Sequence, residues 1–221
     1  MDNFLANNQI FILNFFQMVV NLLHNMDTKT SSQLLDEISV ITRKNLALIE
    51  ENFNSLTDTQ LSWRKDKNSW NINEIFAHLN EYARYYHKTI AEKIKNTRYR
   101  EPREAFVSSP LGRSAWKSMK LGNAQNVKRR MKTPRPYNPL IHPELLNGRD
   151  LQTFTDGQQL LLQIIKEASN VNLRRVRIPI SISKIIRLRL GDALLFVVYH
   201  NERHVQQALN VINHERFPSR S

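Results

Sequence analysis

His200 and His204 lie four residues apart in the stretch Gly191 to Ile212. After its first residue this stretch has neither Gly nor Pro, and its apolar residues Ala193, Val197, Ala208 and Val211 recur at helical spacing. Four residues on a helix make about one turn, so the two rings leave the same face, and that face is the apolar one. Imidazoles turned toward a core need buried hydrogen-bond partners or a metal ion. His78 offers a third ring, at the edge of the apolar stripe of an earlier helix. A lone inward histidine is more often an ordinary hydrogen-bonded residue; its position opposite the pair is what makes His78 a candidate. Three neutral imidazoles at ~2.0–2.1 Å from one ion fill three of four tetrahedral positions and leave one for water or substrate. Zn²⁺ fits this donor set first, with Ni²⁺, Fe²⁺, Mn²⁺ and Co²⁺ as alternatives. The sequence contains no Cys, which excludes thiolate ligands, a thiol nucleophile and disulfides.

The acidic residues near these histidines do not supply an obvious base. In His200-Asn201-Glu202-Arg203-His204 the carboxylate lies two residues past the first histidine, about 200° round the helix. A zinc-peptidase motif needs it one residue past. Glu74 precedes His78 by one turn but is expected to cap its own helix. His142, in Ile141-His142-Pro143, is the candidate fourth ligand, and with it the metal would be structural. His87, nine residues beyond His78, lies more than two turns away and is not expected to join.

The elements that must carry these residues are helices. Ser31 to Leu56 has Leu34, Leu35, Ile38, Ile41, Leu48, Ile49 and Phe53 at the helical period, with Ser31 or Ser32 as the expected N-cap. Leu56 to Arg64 reads as a short helical turn and then loop. Asn71 and Glu74 form a capping-box pattern, with Trp70 and Ile75 as its staple, and Ile75, Leu79, Tyr82, Tyr86, Ile90 and Ile94 form the stripe that follows. Thr155 to Val171 is the next long helix, capped by Thr153 or Thr155. Leu173 to Leu190 alternates weakly, as a hairpin or an irregular lead-in, and Gly191 is expected to separate it from the last helix.

Between the second and third long helices, Lys95 to Asn147 lacks helical periodicity and holds Pro102, Pro110, Pro134, Pro136, Pro139 and Pro143. Short helices are expected at Ser114–Leu121 and Asn123–Met131, and an extended run at Thr133–Pro139. A connection of this length joins helices that run the same way across one end of a bundle.

The chain of 221 residues, 41% hydrophobic and 24% charged, is long enough for one domain with a sizeable core. Its net charge of +12 is regional. Arg84 to Arg135 holds fifteen Lys/Arg against three Glu, and Arg174 to Arg189 adds six basic residues and no acid. This points to an anionic substrate or partner near one end of the molecule. A nucleic-acid module is the alternative: Lys128-Arg129-Arg130-Met131-Lys132 and the Arg174–Arg189 cluster would meet phosphates, with Trp116 and Tyr137 to stack. No helix-turn-helix, RNA-recognition or zinc-finger signature accompanies them, which weighs against it. Residues 1–28 form an N-terminal extension, read as an upstream start or an extra helix. Asn14, Gln17 and Asn21 interrupt its apolar run, so no stable membrane insertion is expected, and the composition suits the cytoplasm.

Trp70-Asn71-Ile72-x-Glu74-Ile75-x-x-His78-Leu79, followed by His200-x-x-Arg203-His204-x-x-Gln207, resembles the DinB-like superfamily over roughly Ser31 to His214. The resemblance implies an all-α fold, an up-down-down-up four-helix bundle over residues 30–214 with a long crossover between helices 2 and 3, followed by a tail at 215–221. It implies that His78, His200 and His204 bind a divalent metal, while Arg203 and Gln207 match family positions without an assigned catalytic role. It also implies a metal-dependent hydrolase or thiol transferase acting on a small molecule, such as an anionic thiol, and a homodimer as the common assembly.

Overall fold

Three reciprocal caps set where the first helices begin. Thr30, Thr57 and Asn71 each accept a hydrogen bond from the backbone three residues on, and Gln33, Gln60 and Glu74 bond back to the cap N–H. In the computed structural model, which describes residues 29–122 and 132–219, these caps open α1 (Ser31–Asn52), the single turn α2 (Asp58–Leu61) and α3 (Ile72–Asn96). Then come α4 (Pro110–Met119), α5 (Asp150–Ala168) and α6 (Leu190–Ile212). The described residues are mostly helical, 60% of them in helices. Among the described residues its sheets are two antiparallel pairs: β1 (Lys29–Thr30) with β2 (Ala105–Phe106), and β3 (Arg177–Ile180) with β4 (Ser183–Arg189). No helix among these residues is long and apolar enough to cross a membrane. The extension at 1–28, the expected helix at Asn123–Met131, Lys128–Arg130 of the basic run and the end of the tail lie outside the described residues.

Several boundaries differ from the sequence reading, each for a local reason. The cap of α1 is Thr30, not Ser31 or Ser32: its extended backbone pairs with β2 and turns its hydroxyl onto the Gln33 N–H. Helix α5 starts at Asp150, ahead of Thr153 and Thr155, because Phe154 continues the buried stripe and the Asp150 carboxylate accepts from the Asn147 N–H at 3.2 Å. The run Thr133–Pro139 is not extended throughout but carries a 3₁₀ turn at Arg135–Tyr137, since the φ fixed by Pro136 suits that turn. Gly191 lies inside the first turn of α6 and not ahead of it. A Cβ there would sit 2.4 Å from Phe106 Cε2, so its smallness admits the ring. The weak alternation after Leu173 is a true hairpin.

Helices α1 and α3 each pack on both α5 and α6, and α4 lies along α6. The ends are tied in pairs. Asn80 Nδ2, in the third turn of α3, donates to the Asp150 carbonyl at 3.0 Å at the start of α5, and the Asn172 N–H donates to the Tyr99 carbonyl at 3.0 Å beyond their ends. The Ser31 N–H donates to the Glu104 carbonyl, and the Gly191 N–H to the Leu173 carbonyl. Phe53, just past α1, meets Phe76 near the start of α3, ring centroids 5.5 Å apart.

The core has two parts, and every long helix passes from one to the other. Leu34, Ile38, Tyr86, Ile90, Leu161, Ile165, Val197 and Val198 belong to the first; Ile49, Phe53, Phe76, Phe154, Val205 and Ala208 belong to the second. At the changeover each helix carries buried polar residues: Thr42 and Asn45 on α1, His78 and Asn80 on α3, Gln158 on α5, and His200, Asn201 and His204 on α6. Apolar burial at roughly 25 cal/mol per Å² holds the two clusters together. The histidines occupy the seam between them.

Candidate metal centre

The Asn71 cap and the α6 register bring His78, His200 and His204 together. One nitrogen from each ring lies within 4.8 Å of the others. His78 Nε2 and His200 Nε2 are 3.3 Å apart. Two nitrogens held at ~2.0–2.1 Å by one tetrahedral ion are separated by about 3.3–3.4 Å, so this spacing already suits a shared ion. The exposures are 2%, 4% and 9% for His78, His200 and His204.

Burial also selects the form that can ligate. It is the largest cause lowering all three ring pKa values, to about 4 for His78 and well below the ordinary value for His200 and His204. The neighbouring rings add repulsion between cations at His200 and His204. All three are therefore neutral at physiological pH, each with one nitrogen lone pair. At His78, the Tyr137 carbonyl lies 2.7 Å from Nδ1. A carbonyl can only accept, so Nδ1 carries the proton and the lone pair sits on Nε2, toward His200. Gln207 Oε1 lies 2.9 Å from His204 Nδ1 and fixes that ring the same way.

Aromatic rings wall the cluster. Trp70 lies 4.9 Å from His78 and stacks at 6.0 Å on His204, Tyr82 is 4.4 Å from His200, and Phe196 stacks on His200 at 5.7 Å. Tyr137 closes on Tyr82 at 4.6 Å, so the crossover reaches the site through both ring and carbonyl. This lining keeps bulk water from the rings and leaves the histidines as the polar groups facing one another.

The other candidates lie elsewhere. His142, the expected fourth ligand, bonds Glu144 at 2.8 Å from a part-exposed position and is not in the cluster. His87 is buried outside it. Glu202 is half-buried with its pKa raised, first by burial, against the opposing charges of Lys44 and Lys120. Glu74 accepts from the Asn71 N–H at 2.9 Å and pairs with Arg64 at 2.8 Å, as its capping role requires. The sequence reading missed the orienting bonds. Gln207 stands three residues past His204, a helical-neighbour spacing that could have revealed it. The Tyr137 carbonyl leaves no side-chain signal.

No curated protein and no solved structure matches the chain. The family model of the DinB superfamily matches residues 41–208, from within α1 through all three histidines to the last turns of α6, and the chain belongs to that superfamily.

Proposed function

We propose that residues 30–214 form one up-down-down-up four-helix bundle of α1, α3, α5 and α6, and that His78, His200 and His204 hold one divalent metal ion in its core, zinc first. The tied ends support these directions: α5 starts beside the third turn of α3 and the two finish together, while α1 and α6 begin near those finishing ends. The observation that carries the metal reading is the 3.3 Å approach of two neutral ring nitrogens, with a third histidine beside them. When bound with an open fourth position, such an ion acidifies water for hydrolysis or binds a thiolate for transfer. The chain's own residues orient the donors: Tyr137 and Gln207 hold the Nδ1 protons, and Trp70, Tyr82 and Phe196 exclude bulk water. The reaction class is metal-dependent hydrolysis or thiol transfer on a small substrate, and the regional positive charge suits an anionic one, such as an acidic thiol.

Metal analysis of protein purified without a His tag tests this reading. About one equivalent of metal per chain after zinc loading is expected, falling below about a tenth in His200→Ala. Less than a tenth in the parent protein, unchanged on adding zinc, overturns it.

A further inference from the structure

A concavity of about 380 Å³ is lined by Arg103, Asn172, Arg174, Arg175, Arg177 and Arg189, five guanidinium groups and an amide with no carboxylate. It lies where α3 and α5 end and α6 begins. Arg189 precedes His200 by eleven residues, roughly 16 Å of helix rise, so this is not the histidine site. Arg177 and Arg189 are direct partners across the β3–β4 ladder. Like charges opposite one another in a ladder destabilise it. Among the described residues none of the five makes an ion pair with a carboxylate.

The surroundings hold these cations in place without pairing any of them to a carboxylate among the described residues. Asn172 Oδ1 accepts from the Arg174 and Arg175 N–H groups, which fixes the turn that presents both. Arg175 lies over the Tyr99 ring at 5.5 Å. Arg189 donates through Nη1 to the Val107 carbonyl, while its buried Nε meets no protein acceptor. Asp192, the acidic group nearest to Arg189 along α6, acts on it through its charge but makes no ion pair with it, its Oδ2 being engaged by the N–H and hydroxyl of Ser109.

We propose that this pocket binds a small, multiply charged phosphate-type anion, a diphosphate or a phosphorylated metabolite. Guanidinium forks match phosphate oxygens bidentately, and the volume falls in the range of small-molecule sites. A nucleic-acid backbone offers the same phosphates, but it calls for a groove that tracks a strand, whereas this pocket is a concavity framed by two turns and a hairpin base.

The test is calorimetric titration of the full chain with inorganic pyrophosphate at ~50 mM salt, in buffer free of phosphate and chelator. It is repeated on His200→Ala, so that metal ligation at the histidines cannot account for the signal. Expected is saturable one-site binding, retained in His200→Ala, and weakened roughly tenfold or more in the double variant R174Q/R177Q. The control K65Q/K67Q, with the same change in net charge at exposed positions, binds within about twofold of the parent. Without ligand, R177Q has a melting temperature equal to or above the parent's, because a like-charge pair is relieved. Absence of saturable binding overturns the proposal, as does an equal loss in K65Q/K67Q. Tighter, length-dependent binding of a single-stranded oligonucleotide that pyrophosphate does not displace also overturns it, in favour of a nucleic-acid surface.

Discussion

The carbonyl oxygen of Tyr137 lies 2.7 Å from Nδ1 of His78, tying the crossover to a helix 59 residues earlier in the chain. The Tyr137 ring rests on Tyr82, which itself touches His78 and His200, so the carbonyl is positioned by packing at the same site. Tyr137→Gly removes that packing and frees the backbone, and zinc affinity is expected to fall roughly tenfold in a chelator competition. Tyr137→Phe keeps both ring and carbonyl and should match the parent. Equal affinity in Tyr137→Gly means that the carbonyl does not orient the ring.

Gln207 has the same task at His204. Gln207→Leu deletes the acceptor at Nδ1 and is expected to weaken zinc binding roughly 10- to 100-fold, whereas Gln207→Glu retains an acceptor and most of the affinity. Indistinguishable binding by Gln207→Leu and the parent removes Gln207 from the site.

His87 makes stability depend on acidity independently of any metal. Its ring is 4% exposed, and burial lowers its pKa from 6.5 to about 4. The unfolded chain therefore takes up this proton first as pH falls. Stability is fully present above pH 6.5 and is lost progressively down to about pH 4. His87 Nε2 meets no protein partner, so His87→Leu deletes the titration without breaking a bond from that nitrogen. In metal-free protein, denaturation between pH 7 and 4 should show the parent losing about 3 kcal/mol more than His87→Leu. Parallel curves would show that His87 is accessible to protons in the folded state.

Gly112 in α4 supports the start of α6 by having no side chain. A Cβ there would fall 2.1 Å from Asp192 Cγ, and Asp192 is held by Ser109 at 2.9 and 3.0 Å. Gly112→Ala is expected to cost about 1–3 kcal/mol by overpacking, despite the better helix propensity of Ala. A thermal midpoint equal to the parent's would show that Asp192 shifts freely.

Gln158 is fully buried in the seam, and neither its Oε1 nor its Nε2 meets a protein partner. Gln158→Met keeps the length and removes both polar atoms, so a gain of about 1–3 kcal/mol in chemical denaturation is expected. A loss of stability instead would show that solvent satisfies the amide.

The helices were legible because periodicity and capping are local. Asn71 and Glu74 lie three residues apart, and one helical turn separates His200 from His204, so a single turn determines both relations. The same locality explains the errors. Thr153 and Thr155 are reasonable caps by type, but the Asn147 N–H on Asp150 and the burial of Phe154 start α5 earlier. Gly191 resembles a breaker until Phe106, 85 residues away, is seen to need the space.

By itself, then, the sequence determined which residues could ligate and the face each occupies, because helix geometry converts spacing directly into direction. Only the tertiary structure decided that His78 meets His200 and that His142 stays with Glu144. Tertiary contacts alone placed the Tyr137 carbonyl on His78 and gathered five arginines into one pocket. The His142–Glu144 contact is local, but the meeting of His78 with His200 and with the Tyr137 carbonyl joins residues 122 and 59 positions apart, through the crossover and across the bundle, where no repeating backbone geometry links spacing to position. These long-range relations are set by which side chains close the two hydrophobic clusters, and local sequence does not encode that choice.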